Sequence, residues 1–339
     1  MSKALKFQTF LVILIVGFLV GPKVVDVLRN GGFGGVSDRA EAAKLISQPN
    51  DTPAAAAPTK QSANSYTGLG LTAKSVYVWD AQTHRKLYAY NEHVRYPLAS
   101  VTKMMMALVA VEVLPPTTKI TIAPVDLLEE GDTGLRVGEK WALKDLLKFT
   151  LVVSSNDGAS AIASVAGASL LRNSSSTDPL SNKKMFIQKM NEKARTIGLE
   201  NTYFNNESGL DIESVTAGAY GSSRDMAMLF EYVYRNHPEL FTSTAFSKVD
   251  ITSDTNIVHH AVNTNATVDS IPGMIGSKTG YTDLAGGNLV VIVDIGLDHP
   301  VIFAVLGSTR EARFTDIQKL ITATVKEITQ DPDDTITTP

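Results

Sequence analysis

Two strongly apolar runs near the C-terminus constrain the fold more than any other feature. Residues Asn288 to Ser308 read NLVVIVDIG, LDHP and VIFAVLGS. Two runs rich in β-branched residues, joined by a short polar turn, predict an antiparallel hairpin. Because both runs are almost continuously apolar and do not alternate with polar residues, we expect their sheet to be covered on both faces.

The rest of the chain supplies partners for this hairpin. Residues Ser75 to Asn91 contain two β-rich runs around the turn-like sequence DAQTHR, which predicts a second hairpin. Sequence patterns also predict helices over Thr102–Val113 and Trp141–Val153, in SSRDMAMLFEYVYRN, where Ser222 or Ser223 is the candidate cap, and in REARFTDIQKLITATVKEI. We therefore predict an α+β fold, with an antiparallel sheet built from both chain ends, flanked by helices, and a helical insertion subdomain between the hairpins.

The N-terminal segment has the pattern of a membrane anchor. Residues 7–25 read FQTFLVILIVGFLVGPKVV, contain no carboxylate and follow Lys3 and Lys6. About 20 apolar residues are enough to cross a bilayer as a helix. Gly21, Pro22 and Lys23 stand where a cleavable signal would have small residues of the A-x-A type. We interpret residues 1–29 as an uncleaved signal anchor, and a cleaved signal peptide is the alternative.

Composition divides the rest of the chain into a tether and one folded domain. Residues 30–65 are rich in Gly, Ala, Pro, Ser and Asn and are interpreted as a flexible linker. Residues 66–330 contain all the helix and strand patterns and are predicted to form a single folded domain. Residues 331–339 are expected to be a disordered tail.

Charge and cysteine content exclude several classes of function. The 339-residue chain has a formal net charge of -4 with interspersed signs, which offers no basic surface for a nucleic acid. It has no cysteine, so disulfides, thiolate catalysis and cysteine-ligated metal centres are excluded. His259 and His260 belong to no H-E-x-x-H motif, and we expect them to be solvent-exposed loop residues. No metal and no cofactor are predicted.

A lysine within an apolar helical run is the first candidate for chemistry. In YPLASVTKMMMALVA, Lys103 stands three residues after Ser100 and directly before three methionines. Residues three apart share a helix face, so the two side chains should lie one turn apart. Burial lowers the pKa of a lysine, and a neutral lysine can take the proton from a serine hydroxyl. The alternative is a chance pair whose lysine extends to the solvent.

Two further short motifs follow in order along the chain. SSNDGA places Ser154 and Asn156 after an apolar helix, where polar side chains can face a cleft or cap the next helix. GSKTGYTD contains Lys278, Thr279 and Gly280 in a candidate strand. The glycine either permits close approach of a ligand backbone or marks a bulge, and the lysine and threonine can hold an anionic group.

The motifs S-x-x-K, S-x-N and K-T-G in this order, spaced about 50 and 120 residues apart, resemble those of the penicillin-recognising serine enzymes. Their surroundings, ASVTKMMMA, SSNDGA, NESGLD, SSRDMA and GSKTGYTDLAGGNLV, are most similar to the low-molecular-mass D-alanyl-D-alanine carboxypeptidases and their endopeptidase relatives. The resemblance covers residues 71–328. It implies the β-lactamase/DD-peptidase-like fold and covalent binding of penicillin.

The resemblance implies catalytic roles for four side chains. Ser100 would be the acylated nucleophile and Lys103 the base that activates it. Ser154 would relay a proton toward the leaving D-alanine. Asn156 would form a hydrogen bond with the substrate amide.

The resemblance also implies a substrate-binding strand. Lys278 would keep the site electropositive, Thr279 would bind the terminal carboxylate, and Gly280 would allow a close approach. The backbone N–H groups of Tyr281 and the nucleophile would form the oxyanion hole.

Arg313 is a further candidate for substrate binding. It matches a basic position that some members of the family carry ahead of the last helix, where an arginine would help to hold the substrate carboxylate. The alternative is an ion pair with Asp316 on the helix surface.

The resemblance thus implies a serine carboxypeptidase that removes the terminal D-alanine from peptidoglycan stem peptides. β-Lactams would be covalent inhibitors, and the membrane would be a partner through the N-terminal segment. Ser155 stands where many carboxypeptidases have glycine, which favours the endopeptidase relatives as an alternative. A β-lactamase that uses Glu207 and an inactive wall-binding homologue are further alternatives. Because peptidoglycan lies outside the cytoplasmic membrane, we expect residues from 30 onward to be extracytoplasmic, or secreted if the segment is cleaved.

Overall fold

The structure is a computed structural model that describes residues 65–131, 133–171, 178–296 and 298–330. Within these ranges the strands are β1 (Ser75–Asp80), β2 (Arg85–Tyr90), β3 (Tyr96–Pro97), β4 (Lys119–Thr121), β5 (Lys140–Ala142), β6 (Tyr203–Phe204), β7 (Ala219–Gly221), β8 (Lys248–Thr252), β9 (Val258–Val262), β10 (Met274–Thr282), β11 (Gly286–Asp294) and β12 (Pro300–Ser308). The helices are α1 (Lys103–Val113), α2 (Leu143–Val153), α3 (Asn156–Leu170), α4 (Pro179–Thr196), α5 (Ser223–Asn236) and α6 (Ala312–Gln330).

Both predicted hairpins belong to one five-stranded sheet, in which the strands lie in the order β10-β11-β12-β1-β2. All neighbours are antiparallel, and β1 pairs with β12 so that Val76 faces Val305. The sheet is therefore built from both ends of the described chain, as the sequence predicts. Smaller sheets join β3-β7-β6, β4-β5 and β8-β9.

The central sheet is covered on both faces, as its continuous apolar pattern predicts. Val290 and Ile302 pack on one side into the core that contains α1 and α5. Val291 and Phe303 point to the other side, where Ile317 and other residues of α6 cover them. Burial of one aliphatic side chain stabilises the folded state by about 1.5–3 kcal/mol. Polar substitutions in either strand would therefore lose much of this stabilisation.

The helices α1 to α5 lie in the chain between β2 and β10 and form the predicted insertion. Residues 103–110 of α1 are all buried, which explains why this helix has no polar face. The predicted helix starts need small corrections. Residues Ala99–Thr102 form a 3₁₀ turn ahead of α1, and α2 begins at Leu143 because Lys140–Ala142 pairs with β4. Ser222 caps α5 by accepting a hydrogen bond from the Asp225 N–H at 3.1 Å.

The prediction for His259 is wrong. Both histidines lie on β9 rather than in a loop, and His259 is buried, with its Nε2 2.6 Å from Glu139 Oε1. Its ring packs against Trp141 and Phe149. Only the His260 side chain is exposed. Strand alternation explains the difference, because neighbouring residues point to opposite faces. Among the described residues there is no cluster of potential metal ligands.

The predicted anchor over residues 1–29, nearly all of the linker and the tail over residues 331–339 lie outside the described residues. No helix in the described ranges is long and apolar enough to span a bilayer. The described chain starts with firm contacts to α6: the Ser65 N–H donates to Glu327 Oε2 at 3.0 Å, and the Tyr66 hydroxyl lies 2.8 Å from that of Thr324.

Candidate active site

Ser100 lies in the 3₁₀ turn that leads into α1, and Lys103 is the first residue of that helix. The turn and the helix bring the two side chains together, with Lys103 Nζ 2.9 Å from Ser100 Oγ. Ala99, directly before the serine, has a left-handed backbone with φ of 48°. Such a conformation is costly for a residue other than glycine, and strain of this kind is concentrated at functional sites.

Lys103 is completely buried, so the solvent-exposed alternative is wrong. Its Nζ also donates to Asn156 Oδ1 at 2.6 Å and to the Ser208 carbonyl oxygen at 2.9 Å. Burial lowers the pKa of Lys103 to about 7, although Glu207 and Glu129 act in the opposite direction. A large share of the side chain is therefore neutral at neutral pH.

The hydrogen bonds of Lys103 fix the direction of its lone pair. A neutral amine has two N–H groups and one lone pair, whereas the Asn156 and Ser208 oxygens can only accept. When Lys103 is neutral, its two N–H groups point to these oxygens. The lone pair is then left for the third neighbour, the hydroxyl of Ser100, which is the arrangement that a general base requires.

Ser154 and Lys278 form a second pair. Ser154 follows the last residue of α2 with a left-handed φ of 64°, and its Oγ accepts a hydrogen bond from Lys278 Nζ at 2.8 Å. Lys278 is buried, and its Nζ also donates to the Thr279 carbonyl oxygen. Burial, together with the neighbouring charges of Lys103 and Arg313, holds the pKa of Lys278 well below its usual value.

The strand β10 lies beside Ser100 at the edge of the central sheet. A Cβ atom at Gly280 would lie 2.7 Å from the Leu98 carbonyl oxygen and 3.2 Å from the Ser100 nitrogen. Glycine is therefore needed here for close packing of the strand on the turn, and no register shift marks a bulge at this position. Thr279 is buried and hydrogen-bonded to Thr264, while Tyr281 is 43% exposed.

Arg313 lies behind β10 and does not pair with Asp316. Its Nη1 donates to the Gly280 carbonyl oxygen at 2.7 Å. Asp316 instead accepts hydrogen bonds from the backbone N–H groups of Thr72 and Ala73 and from the Ser308 hydroxyl. The ion-pair alternative is therefore wrong, and the arginine supports the strand that carries the K-T-G motif. Burial lowers the pKa of Arg313 to about 10.

The family model described as D-alanyl-D-alanine carboxypeptidase matches residues 59–310. The chain belongs to this family, the S11 peptidases. The D-alanyl-D-alanine carboxypeptidase DacF of Bacillus subtilis is 29% identical over 269 residues, which cover 77% of this chain and 64% of the relative. The D-alanyl-D-alanine endopeptidase of Haemophilus influenzae is 31% identical over 224 residues, which cover 65% of this chain and 70% of the relative.

Solved structures confirm the predicted fold class of this S11 peptidase. The Streptomyces K15 DD-transpeptidase has 26% sequence identity and a TM-score of 0.64, and the match covers 75% of this chain and 97% of that chain. Penicillin-binding protein D2 of Listeria monocytogenes, in its ampicillin-bound form, has 27% identity and a TM-score of 0.62, with 75% and 98% covered.

The structure also shows contacts in this S11 site that the sequence motifs do not reveal. Ser208 takes part through its backbone carbonyl, for which side-chain type gives no signal. The hydroxyl of Thr264 lies 2.6 Å from that of Thr279, although the residue stands in an ordinary polar loop. Glu207 is buried and lies 3.2 Å from Lys183, a contact that only the packing of α4 creates.

Proposed function

We propose that this chain is a serine D-alanyl-D-alanine carboxypeptidase that removes the terminal D-alanine from peptidoglycan stem peptides. The observation that carries the proposal is the contact of 2.9 Å between the Ser100 hydroxyl and the buried Lys103 amine. A serine hydroxyl is a poor nucleophile until a nearby base removes its proton. The names of the family and of the Bacillus subtilis relative support the substrate.

The acylation step uses the two side-chain pairs of the site, Ser100 with Lys103 and Ser154 with Lys278. Lys103 takes the hydroxyl proton while Ser100 Oγ attacks the carbonyl carbon between the two D-alanines. The backbone N–H groups of Ser100 and Tyr281 stabilise the oxyanion, an interaction worth about 3–4 kcal/mol per donor in comparable enzymes. As the amide bond breaks, the proton that Lys103 took is relayed by Ser154 to the leaving nitrogen, so that Lys103 is neutral again. A water molecule then hydrolyses the acyl-enzyme and frees Ser100.

Two buried basic side chains support recognition of a substrate carboxylate. Neither Lys278 nor Arg313 forms an ion pair with a carboxylate among the described residues, and both are buried. Buried charges are costly when they have no partner. The carboxylate of a terminal D-alanine, bound by the Thr279 hydroxyl, would supply the missing negative charge. Asn156, whose Nδ2 donates to the Glu130 carbonyl oxygen at 2.6 Å, would form a hydrogen bond with the substrate amide.

An endopeptidase that cleaves D-alanine crosslinks is the second candidate. The Haemophilus influenzae relative bears this name and is 31% identical. Its chemistry requires the same nucleophile and base, so the two candidates differ only in the group attached to the leaving nitrogen.

The test is mass spectrometry of the purified full-length chain after exposure to penicillin and, separately, to muropeptides. We expect a long-lived penicillin adduct on Ser100 and release of D-alanine from a D-Ala-D-Ala pentapeptide. Ser100→Ala should lose both. Cleavage of crosslinked muropeptide dimers without release of D-alanine from the pentapeptide would show that the chain is an endopeptidase and not a carboxypeptidase. Rapid turnover of the drug would indicate a β-lactamase, and no reaction with either reagent would indicate an inactive homologue.

We further propose that residues 1–29 anchor the enzyme in the cytoplasmic membrane, with residues from 30 onward on the extracytoplasmic side. The apolar run over residues 7–25 supports the anchor, and the location of peptidoglycan supports the orientation. Protease added to intact spheroplasts should remove the catalytic domain. Full protection of the domain would contradict this topology.

A further inference from the structure

A lysine on α4 connects two segments at the active site. Lys183 Nζ lies 2.9 Å from Glu129 Oε1 and 3.2 Å from Glu207 Oε1. The exposed fraction is 16% for the Lys183 side chain and 5% for that of Glu207. Removing charged groups from water is costly, so a network this buried is unlike an ordinary surface ion pair.

Each of the two glutamates is followed by a carbonyl group that holds a catalytic side chain. The Glu130 carbonyl accepts from Asn156 Nδ2 at 2.6 Å, and the Ser208 carbonyl accepts from Lys103 Nζ at 2.9 Å. Asn156 Oδ1 and Lys103 Nζ are themselves 2.6 Å apart. Lys183 therefore joins the segment of Glu129 and Glu130, which holds Asn156, to the segment of Glu207 and Ser208, which holds Lys103.

We propose that Lys183 is a positioning residue for the acylation of Ser100: its ammonium group joins these two segments and offsets part of the negative charge of Glu129 and Glu207 beside Lys103. The inference rests on the proposed function, because it concerns the base of that reaction. Lys183 touches neither Ser100 nor the substrate site and acts only through the groups that it holds.

The charges around Lys103 give this arrangement a measurable consequence. Glu207 and Glu129 oppose the effect of burial and raise the pKa of Lys103. The amine of Lys278 on β10 also neighbours Lys103, and burial together with Lys103 and Arg313 lowers the pKa of Lys278. Removal of Lys183 would leave both carboxylates uncompensated. They would then hold a proton on Lys103 more strongly and leave less neutral amine to activate the serine.

Lys183 itself remains charged. Burial by itself would lower its pKa, but Glu207 and Glu129 outweigh burial and raise the pKa above the usual value. Asp126 also faces this cluster, and burial raises the pKa of its carboxyl. Asp126 accepts hydrogen bonds from the Ala123 N–H and the Ser160 hydroxyl, so it does not replace either glutamate as a partner of Lys183.

The test is the pH dependence of the second-order rate constant for acylation of the full-length chain by a fluorescent penicillin. The wild-type rate should fall with a midpoint at about pH 7 as Lys103 becomes protonated. Lys183→Met should move this midpoint up by about one pH unit, so that the rate at pH 7 falls by about fivefold and recovers at higher pH. Glu207→Gln should move the midpoint down.

Lys189→Met is the matched control. Lys189 lies on the same helix, but its side chain is 44% exposed and pairs with Glu192, so the midpoint should not move. Opposite shifts in Lys183→Met and Glu207→Gln support the proposal. Unchanged midpoints, or shifts in the same direction, overturn it. If Lys183→Met does not fold, the pH midpoint of acylation in Glu207→Gln becomes the test. A midpoint equal to that of the wild type then rejects the positioning role of Lys183. A wild-type chain with no adduct at any pH would instead refute the proposed function.

Discussion

Lys103→Met is expected to lower the rate of acylation of Ser100 at pH 7 by about 10³-fold, within the range of 10²–10⁴ that a general base typically contributes. Methionine fills the same buried space but has no lone pair of comparable basicity to take the serine proton. The amine is fully buried and contacts Ser100, Asn156 and Ser208, so no other group among these neighbours is basic enough to replace it. The measurement is the second-order rate constant with a fluorescent penicillin.

Stability should change much less than activity. Methionine removes the cost of burying an amine but leaves the Asn156 and Ser208 oxygens without their donor, so the Tm of Lys103→Met should lie close to that of the wild type. Lys119→Met is the control, because that side chain is 66% exposed and pairs with Asp254, and its acylation rate should match the wild type. A rate for Lys103→Met within about tenfold of the wild type would show that another group acts as the base.

Gly209→Ala is expected to cost about 2–5 kcal/mol in the free energy of unfolding. Gly209 has a left-handed φ of +83°, which costs alanine about 1–2 kcal/mol. Its new Cβ would also overlap the Ala99 carbonyl oxygen and lie 2.6 Å from Thr102 Oγ1, and overpacking of this kind costs about 1–3 kcal/mol. Because the substitution pushes the Ser208 carbonyl away from Lys103, acylation should also become slower.

Gly198→Ala separates the two causes. Gly198 has a similar φ of +75°, but no atom lies within 4 Å of the position that its Cβ would occupy. The free energy of unfolding of this variant should fall only by the backbone cost of about 1–2 kcal/mol. Its acylation rate should match that of the wild type. Urea denaturation of both variants measures the difference. Equal losses would mean that the contact between Gly209 and the turn at Ala99 contributes nothing to stability.

Local spacing explains why much of the fold could be predicted. The hairpins around DAQTHR and LDHP follow from turn residues between β-rich runs, and the cover on both faces of β11 and β12 follows from their continuous apolar pattern. Where a prediction was wrong, the local structure was determined by a partner that is distant in the chain. Trp141 lies in a short strand because β4 pairs with it, and His259 is buried because β9 turns that side chain toward Glu139.

The sequence by itself determined the pairing of Ser100 with Lys103, because three residues of helical chain bring the two side chains to one face. It also determined the order of the three motifs that identify the family. The tertiary structure alone decided that Lys103 is buried, that its lone pair is left for the serine, and that Arg313 supports β10 rather than pairing with Asp316. The reason is physical: solvent exposure and hydrogen-bond partners, and therefore the pKa of a group, depend on segments that are distant in the chain.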